Sequence, residues 1–360
     1  MLTTQSPAAW LFCCRHDFES TLRAELARSG LPSEHTRVLA PGLVHARLLQ
    51  LPAEQAIRQW DPVYALQVLP AAQAVIADSI AQLAQQAMAA LPPQWPSQFG
   101  RWHVHVLTLG QLKGQPKPLL TPRAELVRKA ILKAMATAMG RQADRQPKPI
   151  GMPDLVVQVL LVTAQTAWIS ASPVVRWGRA MTWPSLVPAG LADPPDEDAA
   201  PSSAFRKLRE AFAILGNPAP GERVVDLGAS PGGWSHVLQA LDCQVTAVDR
   251  TELAPSLMAS PRIEFVRGDA FRWQPAAPVD GLVSDVIAAP ERATALLQNW
   301  CNQHWMRWFV VQLKFKGEPN WDELERALAC GRQSGYIVRA KHFFNDKNEV
   351  TVMGFANEEP

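Results

Sequence analysis

Val224-Val225-Asp226-Leu227-Gly228-Ala229-Ser230-Pro231-Gly232-Gly233-Trp234 is the most informative stretch of this 360-residue chain. An apolar strand runs into a glycine turn, and an amphipathic helix follows. Three chemistries use such a turn. A dinucleotide site wants Gly-x-Gly-x-x-Gly, whose middle glycine lets a pyrophosphate approach the backbone; Ser230 stands there instead, which weakens that reading. Gly228 to Gly232 also fits the Gly-x-Ser-x-Gly elbow of α/β-hydrolases, but that elbow uses the N–H after the serine, and Pro231 has none. The third is an S-adenosylmethionine site, where an acidic residue ends the first strand and a loose turn receives a cofactor without phosphates.

The surroundings favour the third reading. Asp249 closes the next strand 21 residues beyond Gly228, where a carboxylate could bind ribose hydroxyls. Asp269 is placed to meet an adenine amino group, and Asp285 ends the strand Gly-Leu-Val-Ser. Three carboxylates at three successive strand ends suit a ligand lying outside the carboxyl edge of a parallel sheet. From residue 204 onward strands alternate with helices, which predicts a Rossmann-like α/β domain over 204–360. The run GLADPPDEDAAPSS, with no apolar period, predicts an interdomain linker over 191–203.

Ahead of the linker the pattern is α+β. Trp10 to Cys14 predicts a strand, Asp17 a cap for a helix closed by Gly30, and Val38 to Leu49 a turn-bearing β segment, together a module over 1–70. A second module over 71–190 opens with an Ala/Gln-rich helix near 75–91 and a strand at Trp102 to Leu109. Thr121-Pro122 then starts a basic helix carrying Arg123, Arg128, Lys129 and Lys133. Two further strands follow, Leu155 to Val162 and Ala167 to Ser170. Residues 101–150 hold ten Lys and Arg against Glu125 and Asp144, an excess of +8 in a chain of net charge +2. Such a segment can neutralise phosphates, so Arg123, Arg128, Lys129 and Lys133 are candidate RNA contacts, although a solvated helix face would read the same way.

The apolar runs are too short for a membrane span, and the first residues lack a basic leader pattern; the expectation is a cytoplasmic chain with no membrane association. Five cysteines without a Cys-x-x-Cys pair suit reduced thiols. Neither they nor the eight histidines show compact ligand spacing, so no metal is expected.

The methyl acceptor can be narrowed. Ser284-Asp285-Val286-Ile287 lacks the Asn/Asp-Pro-Pro-aromatic turn that goes with N-methylation of exocyclic amines. Cys243, Cys301 and Cys330 stand away from the strand ends that a cysteine nucleophile for base C5 would occupy. A ribose hydroxyl is a weak acid whose transfer needs a base, and a lysine serves once burial or another cation lowers its proton affinity. Lys314 ends the strand FVVQLK, Lys207 flanks the apolar stripe of the helix before the first strand, and Glu349 opens the last strand.

Lys207, Asp285, Lys314 and Glu349, in that order around the turn, resemble the Lys-Asp-Lys-Glu tetrad of the FtsJ-like 2′-O-ribose methyltransferases. Segments 201–208, 226–234 and 348–352 are similar to those of the RlmM family, bacterial enzymes that methylate a cytidine 2′-hydroxyl in large-subunit (23S) ribosomal RNA. The resemblance covers nearly the whole chain, but its strong motifs are C-terminal. It implies an N-terminal ferredoxin-like module over 1–70 and a THUMP-like RNA-binding module over 71–190. It implies Lys314 as proton acceptor, with Lys207, Asp285 and Glu349 completing the catalytic group. It also implies cofactor contacts at Ser230, Pro231, Gly232, Gly233, Trp234, Asp249, Asp269 and Asp285. The family's serine three residues before the first lysine is Ala204 here, which leaves that position a backbone contact to offer. The partner implied is large-subunit ribosomal RNA, with no obligate protein partner and a monomer expected. Two other classes compete: an RNA-binding assembly factor that keeps the fold without catalysis, which would not need all four tetrad residues, and a methyltransferase acting on another RNA or on a small molecule or protein, the last two of which would have little use for a basic front half.

Overall fold

The structure, a computed structural model, describes residues 8–48, 53–93, 95–108, 121–139, 154–177, 181–192, 194 and 197–357. The chain divides into two compact units, Met1–Arg176 with Thr182–Leu191, and Trp177–Met181 with Ala192–Pro360.

The first unit holds two sheets. The elements β1 (Ala8–Cys13), α1 (Glu19–Arg28), β2 (Thr36–Ala40), β3 (Leu43–Leu48), α2 (Ala53–Gln59) and β4 (Gln67–Leu69) form an antiparallel sheet in the order β2-β3-β1-β4. Their β-α-β-β-α-β succession is that of a ferredoxin-like module. Asp17 does not cap α1 as expected. Its backbone is left-handed at φ 73° and its carboxylate faces His16, whereas a capping residue is extended; Phe18 takes the cap position without a side-chain bond.

The second sheet contains β5 (Gln73–Ile76), β6 (Trp102–Thr108), β7 (Asp154–Leu161) and β8 (Thr166–Trp177) in the order β5-β8-β7-β6. Against it pack α3 (Ile80–Ala89), α4 (Trp95–Gln98) and α5 (Pro122–Met139), burying Leu83, Trp95, Val127 and Ile131 with Val104 and Val157. The helix expected near 75–91 is shorter, because Gln73 to Ile76 pair with β8 and Ser79 caps α3 by accepting the Gln82 N–H at 3.1 Å. At α5, Thr121 Oγ1 accepts the Ala124 N–H, and Pro122 occupies the first helical position. The segment expected to hold only Ala167 to Ser170 is a twelve-residue strand. Short β9 (Met181–Trp183) follows.

The second unit is a seven-stranded sheet in the order β12-β11-β10-β13-β14-β16-β15. In chain order its elements are α6 (Phe205–Leu215), β10 (Arg223–Leu227), α7 (Gly233–Ala240), β11 (Gln244–Asp249), α8 (Pro255–Met258), β12 (Ile263–Arg267), β13 (Gly281–Ser284), α9 (Pro290–Asn302), β14 (Trp308–Lys314), α10 (Trp321–Gln333), β15 (Tyr336–Lys341) and β16 (Glu349–Ala356). Strands β10 to β14 run parallel, and β16 lies antiparallel between β14 and β15. Parallel strands buried on both faces read as apolar runs, as Val224-Val225 and Phe309-Val310-Val311 do. One buried cluster joins Phe205, Leu208 and Phe212 of α6 and Val237 and Leu238 of α7 to Val224, Val245, Ala247, Val283 and Val310 of the sheet. Of the expected linker, Glu197 is tied into this unit: its carboxylate accepts from Arg209 at 3.0 Å and lies 2.7 Å from His236 Nε2. Residues 193, 195 and 196 of that segment lie outside the described residues.

Candidate active site

The chain leaves β10 for β11 on one side and returns to β13 on the other, so a crevice opens at the carboxyl ends of β10 and β13. Asp249, Asp285 and the turn at 228–233 therefore meet around it. Two glycines are required by the geometry. Gly228 has φ +78°, and a Cβ there would lie 2.9 Å from the Cβ of Val286; Gly232 has φ +112°, and its Cβ would lie 2.2 Å from Leu257 Cδ1.

Two adjoining cavities fill the crevice and share Gly228, Asp249, Val286 and Ile287. The smaller, about 190 Å³, is lined by Asp269, Ala270, Phe271 and Arg292. The larger, about 370 Å³, is lined by Ser202, Ala204, Asp226, Ser230, Pro231, Gly233, Trp234, Asp285 and Lys314. The donor set fits S-adenosylmethionine. The smaller cavity offers an aromatic wall and a carboxylate to an adenosine, and the larger offers carboxylates to ammonium, sulfonium and hydroxyl groups. Asp249 accepts the Ser230 N–H at 3.1 Å and the Thr251 N–H at 2.8 Å, one on each oxygen, which leaves lone pairs for ribose hydroxyls. Asp269 accepts the Phe271 N–H at 2.9 Å and the Arg250 guanidinium at 2.6 Å; both hold its carboxyl below the usual range. Gly232 is the cap residue of α7. The Ser230 hydroxyl donates to the Glu252 carbonyl. Trp234 is buried, and its indole N–H donates to the Ala204 carbonyl at 2.9 Å, so its polar edge is spent on anchoring the segment before α6.

Beneath the larger cavity lies Asp226, 1% exposed, its carboxyl 2.7 Å from the Ser235 hydroxyl. Burial pushes it up to about 7, and the Asp285 and Asp249 carboxylates push the same way against the Ser235 hydrogen bonds.

The four tetrad residues come together from four elements. Antiparallel register sets Lys314 of β14 directly opposite Glu349 of β16. Lys314 Nζ lies 2.7 Å from Asp285 Oδ1 and donates to the Asp285 carbonyl at 2.8 Å. Lys207, from α6, pairs with Glu349 and lies 3.9 Å from Asp285 Oδ2. Two ammonium and two carboxylate groups thus alternate, with Asp285 between the lysines. Burial pulls the Lys207 ammonium down, but Asp285, Glu349 and Asp346 outweigh it and hold the group above the ordinary lysine range.

Sequence reasoning missed the layer that supports this cluster. Asp346, fully buried, accepts from the Phe343 N–H at 2.8 Å, Gln312 Nε2 at 3.3 Å and Thr351 Oγ1 at 3.3 Å; burial and Glu210 raise its carboxyl well above the usual range. Glu210, one turn after Lys207, accepts the N–H groups of Phe344 and Asn345 and so fixes the loop before β16. A glutamate among the buried positions of α6 was the available signal. Phe271, Arg292 and Ile287 also went unread; the Arg292 guanidinium sits 3.9 Å from the Phe271 ring centroid.

The four basic residues of α5 separate into two kinds. Arg128 Nε donates to the Val104 carbonyl at 3.2 Å and Arg123 donates to the Ala164 carbonyl, so both hold the helix to its sheet. Lys129 and Lys133 are exposed, Lys129 with Glu125 at 3.5 Å. The other basic residues of the 101–150 segment at 113, 117, 141, 145 and 148 lie outside the described residues.

Fold and crevice define a Rossmann-like methyltransferase domain of the class that uses S-adenosylmethionine, and residues 201–344 match the model of the FtsJ-like methyltransferase family. Curated relatives include a ribosomal RNA large subunit methyltransferase M of Thauera aminoaromatica, 32% identical over 62% of this chain and 62% of that protein. The protein of the same name in Halorhodospira halophila is 38% identical over 47% of this chain and 50% of its own. The chain spans between half and two thirds of the length of these relatives. Among solved structures, TrmN from Thermus thermophilus aligns over 96% of this chain and 99% of its own at 18% identity, with a TM-score of 0.35.

Proposed function

We propose that the protein transfers the methyl group of S-adenosylmethionine to the ribose 2′-hydroxyl of a cytidine in large-subunit ribosomal RNA. The observation that carries this is the alternating Lys314–Asp285–Lys207–Glu349 cluster at the mouth of a crevice fit for the cofactor. The likeness to curated relatives named as ribosomal RNA large subunit methyltransferases supports the RNA class.

S-adenosylmethionine, which Asp249, Asp269 and the 228–233 turn would hold, would supply an electrophilic methyl on a sulfonium. The protein residues do the rest. Asp285, ion-paired with Lys314 and accepting from it through its backbone carbonyl, fixes the amine at the cavity that both residues line. Lys207, paired with Glu349 and 3.9 Å from Asp285, keeps a cation beside the Asp285 carboxylate when Lys314 is neutral. Neutral Lys314 accepts the 2′-hydroxyl proton as the oxygen attacks, a role worth roughly 10²- to 10⁴-fold in rate. Holding the two reactants in line supplies a further large part of the acceleration. The ferredoxin-like module over 1–70 and the THUMP-like module over 71–190 hold the RNA, with Lys129 and Lys133 on phosphates. No helix of the described residues is long and apolar enough to cross a membrane. The place of action that goes with a ribosomal RNA substrate is the cytoplasm.

The test uses large-subunit RNA from cells lacking the protein, radiolabelled S-adenosylmethionine, and alkaline digestion, which does not cleave beside a 2′-O-methylated ribose. Label in an alkali-resistant dinucleotide is expected, with Lys314→Ala binding cofactor but losing at least ~100-fold in transfer. Label in ordinary mononucleotides would mean base methylation and overturn the reading.

A further inference from the structure

A ribose that enters the crevice brings phosphates with it, and the crevice repels them. The larger cavity is lined by Asp226, Asp249 and Asp285 against Lys314, whose ammonium Asp285 engages. The tetrad sets two ammonium groups against two carboxylates, so it has no positive charge to spare. Cations appear one step further out. Lys314 stands opposite Glu349, and the pairing of β14 with β16 runs on beyond them, where the Phe315 N–H donates to the Asn348 carbonyl at 2.8 Å. The next residue on each chain is a lysine, Lys316 after β14 and Lys347 before β16. Both are exposed, and neither forms an ion pair among the described residues. Their backbones are held in place. Phe315 is buried beside Lys316, and His342 Nε2 donates to the Lys347 carbonyl at 2.9 Å.

We propose that Lys316 and Lys347 together bind the phosphate on the 3′ side of the ribose that is methylated. This rests on the ribose transfer proposed at Lys314. Distance and charge single out that phosphate. It is carried by the carbon next to the one bearing the reacting hydroxyl, and two residues of extended chain span only ~6 to 7 Å from Lys314 to Lys316. The 5′-phosphate hangs from the other side of the sugar ring. A phosphate charge beside the 2′-hydroxyl also opposes loss of its proton, since a neighbouring negative charge disfavours forming another. Two ammonium groups on the phosphate offset that effect and hold the 2′-oxygen in register with Lys314. The arginines of α6 are otherwise engaged: Arg206 donates to the Pro194 carbonyl and lies over the Phe205 ring, and Arg209 binds Glu197.

The test uses the full chain and a large-subunit RNA fragment reassembled from two strands that abut just 3′ of the methylated nucleotide. The upstream strand ends either in a 3′-phosphate or in a 3′-hydroxyl. Wild-type protein is expected to show kcat/KM about ten-fold higher on the phosphate-bearing RNA, the size of two exposed ion pairs together. Lys316→Ala/Lys347→Ala should lose that advantage on the phosphate-bearing RNA and stay within about two-fold of wild type on the hydroxyl-ended one. Calorimetric binding of S-adenosylhomocysteine should be unchanged, because neither lysine lines the two cavities. Equal losses on both RNAs, no loss on either, or weakened S-adenosylhomocysteine overturns the role of the lysines, while methyl transfer by wild type upholds the reading of the site. A wild-type protein that methylates neither RNA overturns that reading and the inference together.

Discussion

Replacing Asp226 by asparagine removes the one ionisation that β10 buries at the bottom of the crevice. In the native protein the carboxyl titrates at about 7; in the unfolded chain it returns to the ordinary value of 3.8. An acid whose folded value is raised contributes stability that is fully present below the unfolded value. That contribution is lost as pH rises through the folded one, because the native state binds the extra proton over that window. The displacement of about 3 units corresponds to ~4 kcal/mol, of which roughly 2 to 3 kcal/mol falls between pH 5 and pH 8. Asparagine is neutral throughout and can still bond the Ser235 hydroxyl. Groups such as Asp346 titrate alike in both proteins and cancel from the comparison. Urea unfolding at the two pH values, with hydrogen exchange of the segment 223–235 marking the transition of this unit, should show Asp226→Asn gaining on wild type by about 2 to 3 kcal/mol at pH 8 relative to pH 5. A difference that stays constant within ~0.5 kcal/mol across that range would mean Asp226 is ionised in the native state, and would refute the burial reasoning.

Lys207→Met should strand the Glu349 carboxylate, whose side chain is 11% exposed, and cost roughly 3 to 5 kcal/mol in urea unfolding. The double variant Lys207→Met/Glu349→Leu should recover most of that loss, and a single variant within ~1 kcal/mol of wild type would show that the pair is hydrated. For RNA, Lys129→Ala and Lys133→Ala should each lower the slope of log affinity against log salt by about 1 for a large-subunit RNA fragment, measured by filter binding. Arg128→Ala should instead lower the thermal midpoint, and an unchanged slope in both lysine variants would place the RNA elsewhere.

The strand, turn and helix from Val224 to Trp234, the alternation of strands and helices after it, and the carboxylates at the ends of successive strands were legible in the sequence. Each rests on a local pattern: apolar runs for buried parallel strands, glycines where the backbone must turn left-handed, acids at strand ends. The four tetrad residues could be named from resemblance, but their pairing waited on register, since Lys314 meets Glu349 only because β16 runs back between β14 and β15. The charge on Lys207 and the proton on Asp226 depend on which groups are withdrawn from water together. So does the division of α5 into arginines bonded to carbonyls and lysines left exposed. Local sequence determined the elements and the chemistry available; tertiary structure decided the ionisation and partners of each group, because desolvation and long-range pairing arise only when distant segments pack against one another.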